Sequence, residues 1–446
     1  AMGSTGTGGS TAEGGQEGKG GFTVTINSTG NISTALDPAR WPSVAWVPGG
    51  LVSLVTARVA ESFLCRAAAR LPLRLRYPDG SVIGAADSTL PTMDIHLPTA
   101  LFRRVGRSGL IGFGESYMAG EWSSDDLAGL LTAFANSMAD LVPPALQWLR
   151  PFAVVRHPST MYNSLKQARD NIAEHYDLSN DLFAEFLDGT MTYSAALFDN
   201  SQPEWSALED AQRRKIDRLL DSARVGPGSH VLEIGTGWGE LCIRAASRGA
   251  QVHSITLSAE QQRLARERVA AAGLSNQVTI ELKDYREVEG RYDAVVSVEM
   301  IEAVGYRFWP TYFHTLDRLV SPGGRVAIQA ITMPHGRMLA SRNTYTWIQK
   351  YIFPGGMIPS VEAVVGITER ETRLRTVNML SLRLHYAETL RLWRERFNSQ
   401  RYSLSALGFD DVFERMWDLY LAYSEAGFRS GYLDVYQWTF APTGTT

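Results

Sequence analysis

The chain has 446 residues, 44% of them apolar and 20% charged, with a formal charge of −4. It is too long for one ordinary core, so two domains are expected, and its slightly acidic balance argues against nucleic acid as a partner. Cys65 and Cys242, the two cysteines, lie far apart, which excludes a disulfide framework and suits a reducing compartment; no metal site is expected.

Residues 1–40 are rich in Gly, Ser and Thr and read as a disordered tail, with first residues like an expression scar. No basic segment leading into an apolar one opens the chain, and no apolar run reaches bilayer-spanning length. Residues 41–151 read as a smaller, mixed α+β N-terminal domain. Leu51–Ala69 has helical periodicity, Leu71–Tyr77 alternates as a half-buried strand, and Pro78-Asp79-Gly80 makes a turn. Asp94–Leu97 is a second short strand, and Asp125–Leu141 is helical up to Pro143-Pro144. Between them runs Gly112-Phe113-Gly114-Glu115-Ser116-Tyr117-Met118, whose glycines follow no nucleotide-type strand. Arg103, Arg104 and Arg107 suit either a solvated face or a contact with anionic headgroups.

A polar linker, 152–165, leads into a second domain, 166–446. Helices are expected over Tyr162–Leu187, Glu204–Ala223 and Ala259–Ala272, with strands at 230–234, 251–256, 277–282, 292–298 and 325–331. Strand and helix alternating at this spacing imply an α/β domain whose parallel sheet is covered on both faces. The alternation lapses over 332–370, an insertion expected to act as a lid. Late strands near 372–377 and 433–441 would add an antiparallel hairpin, the ending of a seven-stranded class I (Rossmann-like) methyltransferase sheet.

The chemistry gathers at the carboxyl ends of these strands. The first runs through Glu233 into Gly235-Thr236-Gly237-Trp238-Gly239. Glycine tolerates unusual backbone angles and lets bare backbone approach a ligand. The G-x-G-x-G spacing after a glutamate suits S-adenosylmethionine better than a dinucleotide, although the same glycines also suit a plain turn. The second strand ends in Thr256-Leu257-Ser258-Ala259-Glu260-Gln261, where Gln261 could hold a ribose or complete a capping box with Ser258. Asp284 and Tyr285 after the third strand suit an adenine edge and face, or a solvated loop. The fourth ends in Glu299-Met300-Ile301-Glu302, two carboxylates over the methyl donor, and Glu302 is the one expected to function.

Five motifs in order resemble the cyclopropane-fatty-acyl-phospholipid synthase family. They are His175-Tyr176-Asp177-Leu178-Ser179-Asn180-Asp181, Met191-Thr192-Tyr193-Ser194, the glycine turn, Ser258-Ala259-Glu260-Gln261-Gln262, and Lys350-Tyr351-Ile352-Phe353-Pro354-Gly355-Gly356. Gly112–Met118 and Tyr423-Ser424-Glu425-Ala426-Gly427-Phe428-Arg429 extend the resemblance over the whole chain after the tail. Within the family the chain is most similar to the actinobacterial unsaturated-fatty-acid methyltransferases of tuberculostearic acid synthesis.

The resemblance implies S-adenosylmethionine held by Tyr193, Ser194, Glu233, Gly235, Gly237, Thr256, Leu257, Gln261, Asp284 and Tyr285. It also implies a bicarbonate ion acting as base, with Ala195, Glu302, Gln329, Ile331 and Tyr386 at its ligand positions. The family has Cys and His where this chain has Ala195 and Gln329; Ala195 keeps a backbone N–H, and Gln329 donates a hydrogen bond but carries no proton charge. His385 is an alternative titratable group. The implied reaction is methyl transfer to the double bond of an unsaturated acyl chain, such as oleoyl phospholipid. It passes through a carbocation to a cyclopropane or a 10-methylene product, and the changes at Ala195 and Gln329 surround the base at which those outcomes diverge. Trp347, Ile348, Tyr351, Ile352, Phe353 and Met357 would line an acyl tunnel or form a plain core stripe.

Phospholipid at the cytoplasmic face of the membrane, a separate reductase and a homodimer are the implied partners. The competing readings are an O- or N-methyltransferase of a small metabolite, which would show a polar pocket, and a non-catalytic lipid-binding relative.

Overall fold

The computed structural model describes residues 36–141, 180–200, 202–342 and 344–444. The linker at 152–165, the start of the expected helix at 162–187, and the His175–Ser179 part of the first family motif lie outside them. The chain divides between Trp46 and Val47. Up to Trp46 the described residues hold one helical turn, Pro42–Ala45.

From Val47 onward, the helix Gly50–Ala68 leads to β1 (Arg74–Arg76), β2 (Val82–Gly84) and β3 (Thr92–Ile95). The helix Pro98–Met118 and β4 (Trp122–Ser123) close a four-stranded sheet in the order β2-β1-β3-β4. The alternation at 71–77 yields only three strand residues because Tyr77 enters a turn closed by its N–H to the Ser81 carbonyl, 2.9 Å. The glycine-rich run before Trp122 is helical, broken at Gly109, which sits at φ +54°. Arg104 is not available to a headgroup: it is buried, and its guanidinium pairs with Glu121 at 2.8 Å.

The larger sheet contains β5 (His230–Ile234), β6 (Gln251–Thr256), β7 (Val278–Leu282), β8 (Tyr292–Val298), β9 (Val320–Thr332), β10 (Leu374–Ser381) and β11 (Asp434–Pro442). Its order is β10-β11-β9-β8-β5-β6-β7. Strands β5 to β9 pair in parallel, and β11 pairs antiparallel with both β9 and β10, as the late hairpin predicts. One apolar layer joins Val231, Val252 and Val296 to the helices Leu208–Ser222, Glu240–Ser247 and Ala259–Ala271. The opposite layer joins Leu232, Ile234 and Val295 to the helices Trp309–Leu319 and Val361–Glu371. Successive β5 residues thus point into opposite layers, as the period of a doubly covered strand requires.

The expected insertion is shorter than 332–370, because Val361–Glu371 already lies on the sheet face, leaving 333–360 as the added segment. Part of it is tied to the first helices. Glu115 accepts hydrogen bonds from Lys350 Nζ at 2.5 Å and the Tyr351 hydroxyl at 2.8 Å. Gly114 has no room for a side chain, since a Cβ there would stand 2.4 Å from the Trp347 indole.

Candidate active site

The strand order reverses between β5 and β8: one run continues through β6 to β7, the other through β9 to the hairpin. Such a switch point leaves a crevice outside the carboxyl ends of the two strands. Ile234 and Ser297 are register partners there, and the Ser297 hydroxyl donates to the Ile234 carbonyl at 3.0 Å. The glycine turn after β5 and the carboxylates after β8 therefore open onto one cavity of about 1050 Å³ including its mouth.

The turn bends back because the Gly235 and Thr236 N–H groups both donate to the Ile255 carbonyl, at 2.9 and 3.1 Å. Gly235 sits at φ +95°, and a Cβ on it would meet the Met300 side chain at 2.6 Å. At Gly237, φ +52°, a Cβ would meet nothing within 4 Å; the missing side chain leaves the cradle open. Glu233 is buried and accepts from the Ser254 hydroxyl at 2.5 Å, and burial pushes its carboxyl up to about 8. Thr256 donates to Gln261 Oε1 at 2.9 Å. Ser258 caps the following helix by accepting from Gln261 N–H at 3.2 Å, so half of the expected capping box forms while the Gln261 side chain turns to Thr256 beside the cavity.

Tyr193, Ser194, Glu233, Gly235, Gly237, Thr256, Leu257, Gln261 and Tyr285 all line the cavity, whereas Asp284 does not. The Asp284 carboxylate is committed to Arg286, with 2.7 Å to both Nε and Nη2, and it caps the turn Tyr285–Glu287. The segment before Ala195 is held from beneath by the helix Leu208–Ser222: Lys215 Nζ donates to the Ser194 hydroxyl at 2.6 Å, and Gln212 Nε2 to the Ser194 carbonyl at 2.8 Å. Burial lowers the Lys215 ammonium to about 8, against the pull of Glu299.

Four of the five expected anion ligands meet carboxylates of the chain itself. Glu299 accepts from Ala195 N–H at 3.0 Å, Gln329 Nε2 at 2.8 Å and the Tyr386 hydroxyl at 2.7 Å. Ile331 N–H donates to the remaining one, Glu302, by its Oε1. These residues do not fit a bound bicarbonate, because their donors are already taken by side-chain oxygens. Glu302 Oε2 is buried with no protein partner; burial and then the neighbouring Glu299 push this carboxyl up to about 8. Glu299 is also raised by burial, but its three donors and Lys215 act against the rise. Adjacent carboxyls that differ this way divide their roles, the one with more hydrogen-bond donors holding the charge more readily. His385 turns elsewhere, its Nδ1 accepting from Phe198 N–H at 3.2 Å.

Tyr193 lines the cavity and belongs to a cluster of aromatic rings beside its carboxylate end. The Tyr193 and Tyr420 hydroxyls share a hydrogen bond of 2.6 Å; Tyr193 lies 5.4 Å from Trp393, and Tyr386 lies 4.5 Å from Phe428. Phe353 of the insertion meets Tyr420 edge-on at 5.7 Å. Of the other expected tunnel residues, Trp347 and Ile352 are buried and Met357 packs against the sheet core.

Sequence reasoning missed Lys215, Met300 and Ala303 as lining residues, and it favoured Glu302 over Glu299. The available signal was the pair of carboxylates three residues apart; which one faces the cavity depends on the backbone, since Glu299 lies at φ +51°.

Residues 163–438 match the family described as mycolic acid cyclopropane synthetase. The chain is 64% identical over 425 residues to tuberculostearic acid methyltransferase UfaA1 of Mycobacterium tuberculosis, covering 94% of this chain and all of that one. It is 34% identical to the cyclopropane-fatty-acyl-phospholipid synthase of Escherichia coli K12, over 76% of this chain and 85% of that one. Among solved structures, mycolic acid cyclopropane synthase CmaA1 complexed with SAH and CTAB superposes with a TM-score of 0.56 at 31% identity, covering 61% of this chain and 97% of that one.

Proposed function

The chain belongs to the mycolic acid cyclopropane synthetase family and is an S-adenosylmethionine-dependent methyltransferase; from that premise we propose that it methylates the double bond of an unsaturated fatty acyl chain in a phospholipid, oleoyl being the expected acyl group, to give a 10-methylene product. One observation carries the reading: the glycine cradle and a hydrogen-bonded carboxylate share one cavity, with aromatic rings at the carboxylate's end. The 64% identity to a tuberculostearic acid methyltransferase favours the methylene outcome over a ring.

Gly235, Gly237 and Ser194 would hold the methionine part of the cofactor, Thr256, Leu257 and Gln261 the ribose, and Tyr285 the adenine. The cofactor supplies an electrophilic methyl group. An alkene is a weak nucleophile, so the protein's task is to hold it in line in a dry space. Tyr193, which lines the cavity, and Tyr386, whose hydroxyl reaches Glu299, would offer their rings to a cation forming there, which stabilises it and keeps water away. The carboxylates nearby receive the proton that leaves.

The helix Gly50–Ala68 exposes Leu51, Val52, Val55 and Val59, with Leu51 at 81%. That face suits a phospholipid surface, from which the substrate must come, and gives the proposed N-terminal domain its role. Among the described residues no helix is long and apolar enough to cross a membrane, so the proposed contact is peripheral. Reduction of the methylene to a methyl group falls to a separate reductase.

The test is incubation with methyl-labelled S-adenosylmethionine and oleoyl-phospholipid vesicles, followed by mass spectrometry of the acyl chains. Label in a methylene-branched C18 chain is expected. Label only in polar compounds, or none in any acyl chain, would overturn the reading.

A further inference from the structure

We propose that Glu299 is a catalytic base supplied by the chain itself, taking the place that the family resemblance gives to a bound bicarbonate. The inference rests on the acyl-methylation reading above and adds the identity of its proton acceptor.

Three independent features point to Glu299. Its carboxylate already collects the donors expected to bind a free anion: Ala195 N–H at 3.0 Å, Gln329 Nε2 at 2.8 Å and Tyr386 Oη at 2.7 Å. A second anion on the same donors would overlap the Glu299 oxygens and face the charge of one carboxylate with another beside it. Glu299 is also one of three non-glycine residues at positive φ among the described residues, at +51°, a conformation that side chains rarely adopt. Such strain persists where the surroundings hold it, often at a reacting group; here the Glu299 N–H is pinned to the Gln329 carbonyl at 2.7 Å. Finally, Glu299 lines the same cavity as Gly235, Gly237 and Met300, whereas Glu302, held by Ile331 N–H, does not.

The step balances without any further reactant. The alkene π pair forms a carbon–carbon bond to the methyl group as the methyl–sulfur bond breaks and sulfur keeps its pair. A hydride moves with its pair to the cationic carbon, placing the positive charge on the methylated carbon. One C–H bond of the new methyl then breaks, its pair becomes the C=C bond of the methylene, and the proton goes to a Glu299 oxygen. Because the base is tethered, Gln329 need not titrate and Ala195 contributes only its backbone N–H.

The experiment measures label transfer to oleoyl phospholipid in buffer stripped of carbon dioxide, with and without added bicarbonate. The wild type, which must label acyl chains for the underlying reading to stand, should run at the same rate within twofold in both. Glu299→Gln should lose a hundredfold or more, the scale of a removed general base, while binding SAH within a few-fold of wild type by calorimetry. Glu299→Gly, free of the backbone strain and with the donors vacated, should be nearly inactive in stripped buffer and regain at least tenfold with bicarbonate. An active wild type that slows when bicarbonate is removed would overturn the inference and leave the acyl-methylation reading intact. Full activity of Glu299→Gln, loss of its SAH binding, or no response of Glu299→Gly to bicarbonate would also overturn it. A wild type that labels no acyl chain in either buffer sinks the underlying reading instead.

Discussion

Replacing Tyr386 with Phe removes one of three donors from the Glu299 carboxylate and little else. The hydroxyl donates to Glu299 Oε2 at 2.7 Å, and the ring, which Phe retains, sits 4.5 Å from Phe428 and 6.2 Å from Trp393. A hydrogen bond to a charged group contributes about 1.5–3 kcal/mol, and one pKa unit corresponds to about 1.4 kcal/mol. Losing this donor therefore raises the Glu299 carboxyl by about one to two units, on top of the rise that burial already causes. The base acts when ionised, so activity appears as pH rises through its pKa. The acid limb of the kcat profile should move to higher pH by about one to two units, with most of the high-pH rate kept. The groups facing Glu299, namely Lys215 and Glu302, both near 8, remain in place and set the rest of the profile in both proteins. The assay is label transfer to saturating oleoyl phospholipid from pH 5.5 to 9. An acid limb that stays where it was, or an equal loss at every pH, would refute the reasoning.

Glu302→Gln tests the second carboxyl through stability. Its folded pKa of about 8 lies above the ordinary 4.5, so between those values the folded state holds a proton that the unfolded state has released. Stability must then fall as pH rises through this window, by about 1.4 kcal/mol per pH unit at most for one group. The variant removes that slope, and its melting temperature should gain on the wild type between pH 6 and pH 9; parallel curves would count against a protonated Glu302. Gly235→Ala adds a Cβ at φ +95° and 2.6 Å from Met300; SAH affinity should fall more than tenfold by calorimetry with the fold retained, and unchanged affinity would remove this turn from the cofactor site. Glu115→Gln weakens the tie to Lys350 and Tyr351. Limited proteolysis should then cut within 344–357 several-fold faster while SAH affinity stays within twofold; equal cleavage rates would show that other contacts hold the segment.

Much of this protein is legible in its sequence because the signals are local. Val231–Glu240 carries a strand, a glycine turn and a helix start within ten residues, and it folds that way. Ser258 caps its helix from an adjacent position, and the strand spacing gives the parallel sheet and its antiparallel ending. Roles that depend on distant partners were not legible. Arg104, an expected headgroup contact, is buried against Glu121, 17 residues away along the chain. Glu299 and Glu302 sit on one turn with the same side chain, and local pattern cannot separate them. The tertiary structure does so because the donors to Glu299 arrive from Ala195, Gln329 and Tyr386, which are 104, 30 and 87 residues away along the chain. Only when the β5–β8 crevice brings these groups together does a carboxylate at a strained backbone angle gain three hydrogen bonds that work against its burial. The periodic pattern thus determines that a methyl donor can be cradled after β5, and the long-range contacts decide which carboxylate faces it.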